Sequence, residues 1–139
     1  RERGRAKKGV ELLIDSRSYR HVAPREFAPQ VKLEMYEGET STPMTADGRE
    51  LTVYGQKKVR YQMLNGDELT SVFLILDVKH PILSVTQMCL NGAQVIFDMN
   101  SAHVLKDGHQ HLLTKRGSLH YLTVKMVGKT AEVAHAVVV

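Results

Sequence analysis

Glu11-Leu12-Leu13-Ile14-Asp15-Ser16 is an apolar run that stops at a carboxylate followed by a hydroxyl. Leu, Leu and Ile in succession read as a strand buried on both sides. An Asp at its end would stand at the rim of a core, where loss of water raises a carboxyl pKa and suits it to act as a catalytic acid. Most Asp residues that follow strands simply make turns, so the hexapeptide needs the rest of the chain to decide its meaning.

Strand signals dominate the sequence on the C-terminal side of that run. Val31-Lys32-Leu33-Glu34-Met35 alternates apolar with charged, the pattern of a half-buried strand. Asp47-Gly48 sits inside alternating residues 44–55, and Asn65-Gly66 and Asp107-Gly108 repeat the signal, because a tight hairpin turn needs positive φ at its centre. Strands are expected over 57–64, 69–78, 93–97, 102–106, 109–114 and 118–126, with 134–139 an edge strand or a frayed end. His80-Pro81 breaks the 69–78 strand, and Ser84 is placed to cap a short helix over 85–90 that Asn91-Gly92 ends. The pattern predicts an all-β domain with one short helix, a small closed or partly closed barrel.

A chain of 139 residues with 42% hydrophobic content makes one domain with a proper core, and two would be crowded. Cys89 is the single cysteine, so no intrachain disulfide can form and a reducing intracellular setting fits. The longest apolar run, 72–76, is strand-sized, and the basic start has no apolar segment behind it, so neither a membrane span nor a secretory signal is expected. The net charge of +4 resides in residues 1–8, where Arg1, Arg3, Arg5, Lys7 and Lys8 face Glu2 alone. A basic tail on a neutral body reads as a solvated linker with at most weak, nonspecific RNA contact.

Several chemistries lack their residues. His103, His109, His111 and His120 are clustered, but a structural zinc site wants four ligands, usually with paired cysteines, so exposed histidines beside a turn are the simpler reading. Cys89 falls in the expected helix and reads as a buried structural thiol. There is no G-x-S-x-G elbow, no P-loop and no G-x-G-x-x-G, so no metal or cofactor is called for. Carboxylate chemistry remains. Two carboxyls sharing one proton supply both a base and an acid. The chain has one aliphatic-Asp-Ser element, so a two-carboxylate site requires two copies meeting at a two-fold axis.

Leu12-Leu13-Ile14-Asp15-Ser16 resembles the catalytic loop of retropepsins, the dimeric aspartic proteases of retroviruses and retrotransposons. Residues 45–55 look like the flap hairpin of copia-type members, with Ala46, Asp47, Gly48 and Arg49 at its tip. Leu76-Asp77-Val78 and then Pro81-Ile82-Leu83-Ser84-Val85-Thr86-Gln87-Met88 look like the strand and helix that close that fold, where an Ile-Leu pair packs beneath the catalytic loop. Gly92-Ala93-Gln94-Val95-Ile96-Phe97-Asp98 matches the following strand, and Arg116-Gly117-Ser118-Leu119-His120-Tyr121-Leu122 is similar to the segment leading towards integrase. The likeness covers roughly 10–122, in the expected order.

The resemblance implies the small closed form of the barrel, with a protease core over 10–100 and its flap near 43–55, preceded by a basic linker over 1–9. It also implies C-terminal strands over 101–126 leading towards integrase, and a tail over 127–139. It implies a homodimer in the cytoplasm or a virus-like particle that cleaves extended peptide segments of its own polyprotein. Asp15 would activate water, Ser16, Arg17 and Ser18 would support the loop, and Ile82, Leu83 and Ser84 would lie under it. One position departs from the family's Asp-Ser/Thr-Gly: Arg17 stands where Gly lets the substrate backbone pass closely. A cation beside the carboxylate also opposes sharing a proton. Two readings follow. Either Arg17 turns to solvent and a weak protease survives, or the chain is an inactive dimerisation or peptide-binding module on the same fold.

Overall fold

The structure is a computed structural model that describes residues 9–36, 38, 47–127 and 137–139. The first strand, β1 (Val10–Asp15), alternates: Leu12 and Ile14 enter the core, whereas Leu13 and Asp15 are half-buried on the other face. Burial on both sides, expected from the aliphatic run, is therefore corrected to burial of one face. A two-residue strand, β2 (Val22–Ala23), is followed by the long hairpin of β3 (Gly55–Gln62) and β4 (Glu68–Ile75). That hairpin pairs from Gly55↔Ile75 to Gln62↔Glu68 and turns at Asn65-Gly66, where Gly66 takes φ of +95°.

Next come β5 (Ile82–Ser84) and α1 (Val85–Leu90), whose N-cap is Ser84, its hydroxyl accepting from Gln87 N at 3.0 Å. Three strands then form a separate sheet: β6 (Gln94–Phe97), β7 (Ala102–Lys106) and β8 (His109–Leu112). Its tight turn at Asp107-Gly108 has positive φ at both residues, as the sequence predicts. The chain closes with β9 (Thr114–Arg116) and β10 (Leu119–Met126).

The large sheet has the order β1-β5-β2-β4-β3-β10-β9, with β1 pairing β10 as well. β1 thus lies between a parallel neighbour, β5, and an antiparallel one, β10. Two seams in this circuit are thin. β2 meets β5 at the single pair Val22↔Ile82, and β10 meets β3 at Lys125↔Gln62 and Met126↔Tyr61. Among the described residues the fold is β-rich with one short helix, as expected, but the sheet does not close as a clear barrel.

Leu12, Val59, Tyr61, Phe73, Leu83 and Leu122 anchor the main core, each 0–1% exposed. A buried side chain of that size contributes roughly 1.5–3 kcal/mol relative to leaving it in water. A second cluster gathers Val22, Leu74 and Leu76, with Leu51, Val53 and Ile82 packed on it. Three polar side chains inside are satisfied. Tyr61 Oη and Ser71 Oγ are 2.7 Å apart, and Lys57 Nζ donates to the carbonyls of Phe27 (2.9 Å) and Ala28 (3.0 Å).

Residues 31–35 form no strand. Lys32 to Met35 are all exposed, so alternation has no face to bury, and only the bridge Glu34↔Gln56 remains. That bridge passes close over Gly55, where an added Cβ would stand 2.4 Å from the Glu34 carbonyl oxygen. Residues 51–54 also lie outside the ladder, which begins at Gly55. Cys89 is exposed rather than buried, because the face of α1 that enters the core is carried by Met88. No helix among the described residues is long and apolar enough to cross a membrane.

Candidate active site

Asp15 is the last residue of β1 and sits in parallel register with Ser84, as Ile14 does with Leu83 and Leu13 with Ile82. Leu13 N donates to Pro81 O at 3.0 Å, extending the ladder by one bond. Strand alternation sends Leu83 into the main core and Ile82 into the second cluster. Both cores therefore fix the strand that flanks Asp15. Ile82, Leu83 and Ser84 stand beside the loop, in the same sheet.

The carboxylate of Asp15 is oriented locally. Its Oδ1 accepts the Arg17 backbone N–H at 2.8 Å, an Asx-turn that bends the chain away from the strand. Ser16 and Arg17 are exposed. Ser18 is half-buried, its hydroxyl donating to Arg20 O at 2.7 Å, while its own carbonyl accepts Ser84 Oγ–H at 2.5 Å. The loop is thus tied down at both ends, through the Asx-turn at Asp15 and through Ser84 at Ser18.

Beneath it lies His21, fully buried and engaged on both ring nitrogens. Ser84 N–H donates to Nδ1 at 2.9 Å, and Nε2 faces Val139 O at 2.8 Å. A backbone N–H can only donate and a carbonyl can only accept, so the ring is the neutral tautomer with its proton on Nε2. Burial pushes the His21 pKa down to about 4, against the hydrogen bond to Val139, and the nearby Arg20 charge lowers it further. The His21 backbone N–H donates to Gln87 Oε1 at 2.9 Å. His21 and Gln87 were not singled out in the sequence. The one available signal was a histidine opening the otherwise apolar His21-Val22-Ala23-Pro24.

No family model, curated protein or solved structure matches the chain.

At the proposed flap, Asp47, Gly48 and Arg49 are exposed, with Gly48 at φ of +89° and Arg49 Nε 3.2 Å from Asp47 Oδ2. Ala46 lies outside the described residues, as do residues 1–8. The segment that follows the tip is anchored: Leu51 and Val53 pack on the cluster that also receives Ile82.

The histidine cluster divides. His109 Nδ1 lies 2.6 Å from Asp67 Oδ2, and this bond is the main reason the Asp67 carboxyl is held below its usual range. His111, two residues along the same strand, is buried rather than exposed, which corrects the reading of exposed histidines beside a turn. Burial lowers its pKa, and its Nε2 has no hydrogen-bond partner. No group of three His, Cys, Asp or Glu among the described residues is arranged to hold a metal ion.

The Ser84 hydroxyl holds the helix cap and the Ser18 carbonyl, while its backbone N–H holds the His21 ring. Ser84→Ala loses the N-cap and leaves a half-buried carbonyl without its donor. A loss of about 1–3 kcal/mol is expected in urea unfolding, with the β7–β8 hairpin retained.

Proposed function

We propose that the chain is an aspartic endopeptidase of the retropepsin kind, each copy supplying half an active centre. The observation that carries this reading is the register of Asp15 with Ser84. The loop and the Ile-Leu-Ser strand that the resemblance pairs are hydrogen-bonded neighbours across a long sequence separation. In this reading the circuit of strands corresponds to the retropepsin barrel, and the Asp15 carboxylates of two copies converge at a two-fold axis.

One Asp15 carboxylate takes a proton from water as it attacks the peptide carbonyl, while its protonated twin donates to the carbonyl oxygen. Ser16, exposed beside it, reaches the partner loop and holds the two together. The hairpin around Asp47 and Gly48 folds over an extended substrate, which binds by adding a strand and so gains backbone hydrogen bonds from either copy. The substrates are extended segments of the parent polyprotein, inside the cell or a virus-like particle.

Arg17 weakens this activity and keeps the noncatalytic module as the second reading. In favour of the active form, Arg17 is exposed and meets Asp15 through its backbone N–H, an interaction that a glycine at this position would also make.

A half-site per copy has a kinetic signature. Specific activity on an extended peptide should fall in proportion to chain concentration once the chain is diluted below its dimer dissociation constant. Constant activity per chain down to concentrations at which sedimentation finds monomers would exclude the shared site.

A further inference from the structure

Residues 137–139 lie along β4. Thr70 N donates to Val137 O at 2.7 Å, Val139 N donates to Thr70 O at 2.9 Å, and Val138 bridges Thr70 in parallel. Val139 is 1% exposed and belongs to the main core. Its carbonyl accepts two side-chain donors, His21 Nε2–H at 2.8 Å and Asn91 Nδ2–H at 3.2 Å. At the other edge of the His21 ring, Nδ1 holds the Ser84 N–H, and Ser84 in turn holds the Ser18 carbonyl.

Burial requires that both ring nitrogens be satisfied, and each is met by a backbone group from a different part of the chain. Here the two partners sit on opposite edges of one ring, and the ring packs on Phe73 with centroids 5.7 Å apart. Turning the imidazole to follow one partner therefore breaks its bond to the other. The path from residues 137–139 to the Asp15 loop consists of three consecutive hydrogen bonds: Val139 O to His21, His21 to Ser84, and Ser84 to Ser18.

We propose that His21 is a positioning residue through which docking of residues 137–139 orders the Asp15–Arg20 loop, so that occupancy of this strap regulates the proposed site. Its consequence for catalysis rests on Asp15 being catalytic; the coupling between strap and loop does not.

A double-mutant cycle tests it, using the full chain, a chain ending at residue 136, His21→Asn, and both changes together. The Asn Oδ1 falls at the place of Nδ1 and still accepts Ser84 N–H, but the side chain is too short to reach Val139 O. Amide hydrogen exchange at Arg17 reports the loop, with the β7–β8 amides as the measure of global stability. Ending the chain at 136 removes a core valine and lowers global stability, which the β7–β8 amides record; Arg17 exchange should speed up about tenfold beyond that change, within the range for groups sharing one hydrogen-bond network. In the His21→Asn background the same shortening should add less than twofold. With peptide substrate, kcat should fall and KM stay unchanged. Should the shortened chain not fold, Asn91→Ala removes one of the two donors from Val139 O and is read in the same way. Independent, additive effects of the two changes, or an Arg17 amide untouched by shortening, would overturn the coupling. If no variant cuts any peptide, the kinetic arm fails together with the proposed function, while the exchange arm still decides the coupling.

Discussion

On the proposed mechanism, Asp15→Asn should keep the fold and lower peptide cleavage by at least about a thousandfold, the scale on which removal of an essential acid-base group acts. Asparagine is nearly isosteric, and its Oδ1 can still accept the Arg17 N–H that shapes the loop. The Ser84 register and the two cores are untouched, so thermal unfolding should shift little. What disappears is the capacity to take up and give back a proton. The companion change runs the other way. On the same proposed mechanism, Arg17→Gly removes the side chain that stands where the substrate backbone would pass, keeps the backbone N–H that Asp15 accepts, and should raise kcat/KM about tenfold or more. Cleavage of an extended peptide library read by mass spectrometry checks both. Undiminished cleavage by the Asp15→Asn chain would place the chemistry elsewhere. An Arg17→Gly chain that dimerises yet cuts nothing would count against the mechanism.

Acid should destabilise the fold through His21 well before the carboxylates are all protonated. The ring is neutral in the folded state, with a pKa of about 4 against 6.5 for the free side chain. Between those values the unfolded chain binds a proton at His21 that the folded chain does not. The contribution is therefore fully present above pH 6.5, is lost progressively as pH falls towards 4, and levels off below that. The size is on the order of 3 kcal/mol, a large part of the stability of a small domain. Protonation at Nδ1 also turns the acceptor for Ser84 N–H into a donor, so it breaks the contact that supports the Asp15 loop. Urea midpoints at pH 7 and pH 4.5 measure the loss. His21→Gln should be less stable at pH 7 and should flatten the dependence over this window; an equal slope in both chains would assign the effect to other groups. For a carboxylate pair that shares one proton, the consequence is a working range bounded on the acid side by the protein's own scaffold.

The parts of this arrangement that depend on local chemistry could be read in the sequence. Asp107-Gly108 and Asn65-Gly66 demanded positive φ and became hairpin turns, and Ser84 became an N-cap because its hydroxyl reaches the Gln87 N–H one turn on. Alternation failed where tertiary burial was missing: residues 31–35 have a strand's pattern but no surface to cover, so the pattern stabilised nothing. The same weakness affected β1, whose aliphatic run did not reveal that only Leu12 and Ile14 face the core. Burial of single polar residues was the least legible. His111 is covered because β8 lays it against the core beside Val104, and Cys89 is exposed because α1 has one buried position, at Met88. The candidate site was visible as Asp15-Ser16 and Ile82-Leu83-Ser84 taken separately. Their parallel pairing, and the His21 ring bridging Ser84 to Val139, join positions far apart in the chain, and no local pattern encodes such a junction.

Inhibitor stoichiometry tests the proposed shared active centre most directly. Calorimetric titration of the chain, and of its Arg17→Gly variant, with a pepstatin-type transition-state analogue should give one inhibitor bound per two chains, with binding abolished by Asp15→Asn. One inhibitor per single chain, or no binding at concentrations where the chain sediments as a dimer, would contradict it.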